Sequence, residues 1–371
     1  MAGLGVSFVP PAYPYERLDG LKALAKIHDG GPIDCSIGTP IDPPPAFVID
    51  ELARGDGARG YPSSIGSLGY RTACASWMER RFGVSLSNDQ LAACVGTKEF
   101  VGTLAGYLRL RAPERDTVLY PAVSYPTYAM GATLAGLRPV SVDMVDGRLD
   151  LASINPADIE RALVLWANSP SNPTGALDDL EGLATWGRHH GVLVASDECY
   201  AEFTWAGRPR SILEHGTEGV LAVHSISKRS NLAGLRAGFY AGDADAVAFL
   251  RLVRQHAGFM VPGPIQSAVA LAYGDDDHVN VQREIYRTRL ELLSEALEAF
   301  DVDAPFPDGS FYLWCSRGAM DGWELAALLA ETSGIIASPG ELYGDGAHYV
   351  RIAVVQPNER LELAASRLRG H

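Results

Sequence analysis

The chain has 371 residues, 47% of them hydrophobic and 20% charged, with a formal net charge of −14; this suits a folded chain of two or three domains and disfavours nucleic acid or an anionic membrane surface as partner. Its five cysteines are scattered without a CxxC spacing, which points away from a disulfide framework and from zinc, so no metal is expected. No apolar run approaches a membrane span and the N-terminus lacks a basic leader, so a soluble, cytoplasmic protein is expected.

Pro10-Pro11-Ala12-Tyr13-Pro14-Tyr15 is too proline-rich for helix or central strand and reads as an extended arm. Residues 18–27 predict a short helix and 33–38 a short strand. Pro43-Pro44-Pro45 then marks the crossing from an arm and first small-domain segment (1–45) into a larger domain (46–262). Residues 70–82 read as helix and 92–95 as strand. At Gly96-Thr97-Lys98-Glu99 that strand gives way to a helix through Leu108. A strand–glycine–helix junction aims free backbone N–H groups and a helix dipole at an anion, although many such junctions bind nothing.

Apolar runs of strand length follow at 117–120, 139–142, 162–167, 192–196, 220–225 and 237–241, with helical patterns such as Leu180–His190 between several of them. Continuous apolar strands separated by helices predict an α/β fold with a mostly parallel sheet covered on both faces. Tyr125, Asn172, Asp197 and Lys228 all fall at the carboxyl ends of these runs, the edge at which open α/β sheets bind ligands. From 263 to 371 the pattern changes. Helices at 265–273 and 278–300 precede short strands at 311–314, 334–337 and 349–355 that alternate with helices, which predicts a smaller α+β domain.

Lysine is scarce. Only Lys22, Lys26, Lys98 and Lys228 occur, and Lys228 sits in His224-Ser225-Ile226-Ser227-Lys228-Arg229-Ser230, directly after an apolar strand. A solvated loop lysine is the ordinary reading of a lone lysine. A desolvated one, however, can lose its proton and form a Schiff base, which arginine cannot do. Asp197 ends an apolar run in Ser196-Asp197-Glu198-Cys199-Tyr200; it either caps a helix or neutralises a buried cation such as a protonated pyridine nitrogen. Asn168-Ser169-Pro170-Ser171-Asn172-Pro173-Thr174-Gly175 carries more polar groups than a chain reversal needs.

Taken in order, Gly96-Thr97-Lys98, Tyr125-Pro126-x-Tyr128, Asn172-Pro173-Thr174-Gly175, Asp197-Glu198-x-Tyr200, Ser225-x-Ser227-Lys228 and Gly234-x-Arg236 resemble the class I aminotransferases that use pyridoxal 5′-phosphate. The resemblance spans most of the chain and implies the aspartate-aminotransferase-like fold, fold type I. It implies that Lys228 forms the Schiff base with the cofactor and carries a proton during catalysis. Asp197 is then the partner of the pyridinium nitrogen, and Asn172 and Tyr200 bond the ring's phenolic oxygen while Tyr125 stacks on the ring. Thr97, Lys98, Ser225 and Arg236 are the implied phosphate ligands, with Gly96 and Ser227 among the cofactor contacts. Tyr61 matches the tyrosine that reaches the phosphate from a partner subunit, implying a homodimer with shared sites. Arg351 matches the arginine that grips the substrate α-carboxylate, with Gly38 and Asn172 beside it.

Several stretches, including Ser36-Ile37-Gly38-Thr39-Pro40, Gly96-Thr97-Lys98-Glu99 and His256-Ala257-Gly258-Phe259-Met260-Val261-Pro262, resemble the succinyldiaminopimelate aminotransferases of actinobacterial lysine synthesis. That branch implies transfer of an amino group from glutamate to N-succinyl-2-amino-6-oxopimelate, returning 2-oxoglutarate. So polyanionic a substrate calls for extra cationic groups in the distal pocket, with Lys98, Arg17 and Arg229 as candidates. The alternatives are a general aminotransferase for aromatic or aliphatic amino acids, or a carbon–sulfur lyase using the same cofactor. A nucleotide-binding oxidoreductase is disfavoured, because no Gly-x-Gly-x-x-Gly opens a βαβ unit and no P-loop is present.

Overall fold

The structure, a computed structural model, describes residues 14–55 and 57–370. Seven strands form the central sheet: β1 (Leu91–Cys94), β2 (Thr117–Pro121), β3 (Arg138–Val142), β4 (Ala162–Asn168), β5 (Leu193–Asp197), β6 (Val220–Ser225) and β7 (Gly238–Gly242). Their spatial order is β1-β7-β6-β5-β4-β2-β3. Neighbours from β6 to β3 are parallel, and β7 alone runs against both of its neighbours.

Every residue of β4 and β6 is buried, which is why these runs are apolar without interruption. Successive side chains serve opposite faces. Leu165 and Ala167 enter one core with Trp77, Leu183 and Tyr273. Val164 and Trp166 enter the other with Phe100, Leu104 and Val247. Helices Leu68–Phe82, Leu180–His190 and Gly263–Gly274 cover the first face; Thr97–Arg111 and Ala244–Ala257 cover the second.

A third core belongs to a smaller unit. It is built on the strands β8 (Tyr312–Ser316), β9 (Ser338–Pro339) and β10 (Tyr349–Ala353), with helices Asp277–Ala299, Gly322–Ser333 and Asn358–Arg369 packed around them. The start of the chain joins it: Leu18, Leu21 and Ile33 lie in this core, and Ile33–Asp34 pairs in parallel with Ile335–Ile336.

The expected division at 262 differs from the packing. Helix Gly263–Gly274 lies on helices Ala46–Arg54 and Leu68–Phe82 and puts Ala268, Val269, Ala272 and Tyr273 into the larger core. None of its buried residues belongs to the core of the smaller unit, so the larger core extends to this helix and the next one, Asp277–Ala299, begins the smaller. The expected arm falls largely on residues outside those described; from Pro14 to Leu18 the chain is 3-10 helix. Among the described residues no helix is long and apolar enough to cross a membrane.

Candidate active site

The carboxyl ends of β4, β5 and β6 stand side by side, with Asn168 paired to Asp197 and Asp197 to Val223. A cavity of about 370 Å³ opens there, walled on the other side by Gly38, Tyr312 and Arg351 of the smaller unit. It is of the size and mixed polarity typical of small-ligand sites.

Ser225 ends β6 and caps the four-residue helix Ile226–Arg229, its hydroxyl accepting from the Ser227 N–H at 3.3 Å. That turn delivers Lys228 into the cavity, where its Nζ donates to the Gly38 carbonyl. Desolvation pulls the Lys228 ammonium down to about 8, and the Arg351 and Arg236 charges act in the same direction. The amine is therefore close to losing its proton near neutral pH.

Asp197 is buried at the end of β5. Its Oδ2 accepts from the Tyr128 hydroxyl at 3.1 Å and its Oδ1 from the Cys199 N–H at 3.2 Å. Burial raises its pKa against those bonds. Asn168 clasps the neighbouring loop: its Nδ2 donates to the Asp197 carbonyl at 2.8 Å while its Oδ1 accepts from the Asn172 N–H at 2.7 Å.

Gly96 and Arg236 form a cradle at the start of the helix Thr97–Arg111. Gly96 has φ +76° and precedes the helix Thr97–Arg111, a backbone position open to glycine. A Cβ there would fall 2.3 Å from Arg236 Nη2. Thr97, Ser225 and Ser227 line the same end of the cavity, and the Cys199 thiol donates to Thr97 Oγ1 at 3.2 Å. Gly96→Ala is expected to push Arg236 out of place and to weaken binding of a phosphorylated ligand by roughly tenfold or more, as read by equilibrium titration; unchanged affinity would mean that the cradle holds no phosphate.

Arg351, on β10, is fully buried. Its Nη1 donates to Asn172 Oδ1 at 2.8 Å and its Nη2 to the Ser36 carbonyl at 2.5 Å. Its Nε has no hydrogen-bond partner among the described residues. The guanidinium lies 4.3 Å from the Tyr312 ring centre and 4.8 Å from that of Tyr343. The Tyr312 and Tyr200 hydroxyls are 2.7 Å apart. A Cβ on Gly38 would lie 2.1 Å from the Tyr312 oxygen, so that loop can approach only as glycine.

The cavity thus gathers Lys228, Asp197, Tyr200, Asn172 and Tyr125, together with the Thr97, Lys98, Ser225, Ser227 and Arg236 set and Gly38 and Arg351. Tyr61 is wholly exposed and does not line it. Two of the three expected distal cations are elsewhere. Arg17 pairs with Glu341 and lies over Trp323. Arg229 turns into the larger core, bonded to Glu202, to the Ala272 carbonyl at 2.5 Å and to Asp276. Lys98 is in the wall, its Nζ 5.9 Å from the Tyr125 ring centre.

Sequence reasoning missed Tyr312, Cys199 and Asn168 as wall residues, and gave Tyr128 no role. Tyr128 and Asn168 carry a signal, since each belongs to a polar turn that closes an apolar strand. Tyr312 looks like any aromatic on a buried strand.

The family model for class I and II aminotransferases matches residues 32–368. The chain belongs to that family. It is 39% identical to a 4-dedimethylamino-4-oxo-anhydrotetracycline transaminase of Streptomyces rimosus over 96% of this chain and 99% of that one. It is 35% identical to an LL-diaminopimelate aminotransferase of Desulforudis audaxviator, over 97% and 95% of the two chains. Among solved structures it superposes with TM-score 0.85 on a probable N-succinyldiaminopimelate aminotransferase of Thermus thermophilus, 31% identical, covering 96% of this chain and 100% of that one.

The aminotransferase has the aspartate-aminotransferase-like fold, and its family uses pyridoxal 5′-phosphate. The cavity fits that group. Asp197 is a buried carboxylate that accepts from a phenol and a backbone amide and lies beside the Cys199 thiol, all uncharged donors, so a ring N–H⁺ would supply a cation. The Gly96 cradle, which a Cβ would fill, sits beside hydroxyls and a guanidinium suited to a phosphate. Lys228 brings an amine into the same cavity.

Proposed function

We propose that this aminotransferase exchanges an amino group between N-succinyl-LL-2,6-diaminopimelate and 2-oxoglutarate. The products are N-succinyl-2-amino-6-oxopimelate and glutamate, and the physiological direction in diaminopimelate and lysine biosynthesis is the reverse. The reading is carried by the two cationic side chains of the cavity that neither the cofactor ring nor its amine requires. Arg351 suits a substrate α-carboxylate, and the Lys98 side chain, which lines the same cavity, suits a second anionic group. The names of the Desulforudis relative and the Thermus structure support diaminopimelate-like substrates. The name of the Streptomyces relative speaks for another substrate class.

Bound pyridoxal 5′-phosphate supplies an electrophilic carbon for the amino group and a ring that takes up the electron pair left at the substrate α-carbon. The chain does the rest. Lys228 holds the cofactor between turnovers and moves a proton at the α-carbon. Asp197 remains ionised against the ring nitrogen and so keeps its positive charge. Tyr200 and Asn172 donate to the phenolic oxygen, and the Tyr125 ring covers one face. Tyr200 has one hydroxyl proton; spent on that oxygen, it would leave Tyr312 as the donor in their 2.7 Å contact. Gly96, the backbone N–H groups of Thr97 and Lys98, the Ser225 and Ser227 hydroxyls and Arg236 hold the phosphate end. Tyr61, exposed in a single chain, reaches the same phosphate in a second copy, which makes the working form a homodimer.

The test is a substrate panel: rates for succinyldiaminopimelate, its acetylated analogue and common aromatic and aliphatic amino acids, each with 2-oxoglutarate. A preference for the succinylated substrate is expected; equal rates on ordinary amino acids would defeat the specific reading and leave the aminotransferase standing. Lys98→Met is expected to raise KM for the succinylated substrate about tenfold, the scale of one lost charged contact. The same variant should change KM for glutamate far less. Equal effects on both would remove Lys98 from substrate choice.

A further inference from the structure

Helix Thr97–Arg111 begins without a side-chain cap, because its N-cap residue is Gly96. The cap comes from inside. Glu99, the third helical residue, reaches back so that its Oε2 accepts from the Val95 N–H at 3.1 Å. This is one residue further back than the glutamate of a capping box reaches, and it ties down the turn on which Gly96 takes its left-handed conformation. Thr103 Oγ1 donates to Oε1 of the same carboxylate at 3.0 Å.

A carboxylate in the first turn complements the helix dipole, yet it also uses up the positive potential that a bound anion would need. Arg254 removes that conflict. Its Nη1 and Nη2 donate to the two Glu99 oxygens at 2.8 and 2.7 Å, a two-point fork. Its side chain is 2% exposed and that of Glu99 15%. The guanidinium is packed among Phe100, Tyr240 and Phe259, with ring centres 5.3 to 5.6 Å away. The pair is therefore rigid and electrically neutral, and lies one turn behind the cradle.

We propose that Glu99 and Arg254 are positioning residues for the cofactor phosphate: Glu99 fixes the Val95–Gly96 turn, and Arg254 cancels its charge so that the helix N-terminus stays open to a dianion. The proposal rests on the reading of the Gly96 cradle as the phosphate site. It also gives Glu99 a task separate from substrate choice, and extends the site to the last turn of helix Ala244–Ala257.

The readout is phosphate discrimination, the ratio of Kd for pyridoxal to Kd for pyridoxal 5′-phosphate, titrated into the full-length protein stripped of cofactor. Arg254→Met leaves a bare carboxylate behind the cradle and is expected to lower the ratio about tenfold while pyridoxal affinity stays within about threefold. Adding Glu99→Gln to Arg254→Met removes that charge and keeps an amide oxygen for Val95; the ratio is expected to return to within about threefold of wild type. Should Arg254→Met fail to fold, Glu99→Gln alone carries the test, with a ratio equal to or above wild type expected. The proposal is overturned if Arg254→Met keeps the wild-type ratio, if both ligands weaken in parallel, if the double variant stays as low as the single, or if Glu99→Gln lowers the ratio. Failure of wild type to discriminate between the two ligands would instead overturn the phosphate assignment of the cradle.

Discussion

Lys228→Ala is expected to reduce transamination by at least about 10³-fold, because in the proposed function the same amine holds the cofactor and moves the proton, and proton transfer by a placed side chain contributes about 10²- to 10⁴-fold by itself. The proposed Asp197 and Arg236 contacts are untouched by the substitution, so the variant is expected still to bind cofactor but to lack the lysine-linked visible absorbance. A variant that kept wild-type turnover would remove Lys228 from the chemistry. The amine also has a signature in the cofactor-free protein. Its pKa is pulled from 10.5 to about 8 on folding, so below about 8 both states carry the proton and the folded state bears the cost of burying it. Between about 8 and 10.5 the folded state has shed a proton that the unfolded state retains, and stability rises with pH. Lys228→Met lacks this contribution. Thermal midpoints of the two cofactor-free proteins are expected to differ most near pH 7, with the variant higher, and to converge toward pH 10.

Asp197→Ala is the second large effect. The carboxylate sits where burial opposes its charge, and removing one member of a buried charge pair costs about 3–5 kcal/mol. Expressed in the rate, that is roughly a 10²- to 10⁴-fold loss. It is expected in the half-reaction with glutamate, followed as conversion of the cofactor to its pyridoxamine form. Tyr128 and the Cys199 N–H, which now bond the carboxylate, are left facing a gap, so cofactor affinity falls as well. A wild-type half-reaction rate would show that the ring nitrogen needs no anionic partner here.

The sheet was legible because β4 and β6 have no exposed position, and short apolar runs that alternate with helices fit a sheet covered on both faces. The cavity was legible where chemistry is unusual: a lysine in an arginine-rich chain, an aspartate closing a buried strand, two asparagine turns in series. What escaped was direction. Arg229 follows Lys228 immediately, but a helical turn sends neighbouring side chains about 100° apart, and Glu202 with the Ala272 carbonyl draws this one inward. Helix Gly263–Gly274 was misplaced for a similar reason. The glycines and prolines before it signal a break in the chain, and a break does not say which core the next apolar face will meet. Tyr312 needed the fold itself, since only the approach of β8 to Gly38 shows that its hydroxyl faces Tyr200.

The pairing of Ile33–Asp34 with Ile335–Ile336 sets an order of events on the ribosome. The first half of that pair emerges roughly 300 residues before its partner, a wait of about 15–60 s at 5–20 residues per second. During that interval the larger unit can form its sheet and seat Lys228, while Leu21, Ile33 and Cys35 remain without the core that buries them in the finished chain. Arg351 arrives later still. The nascent chain therefore acquires Lys228 before the Arg351 wall of the cavity, and the segment 21–35 is the one that waits longest for shelter.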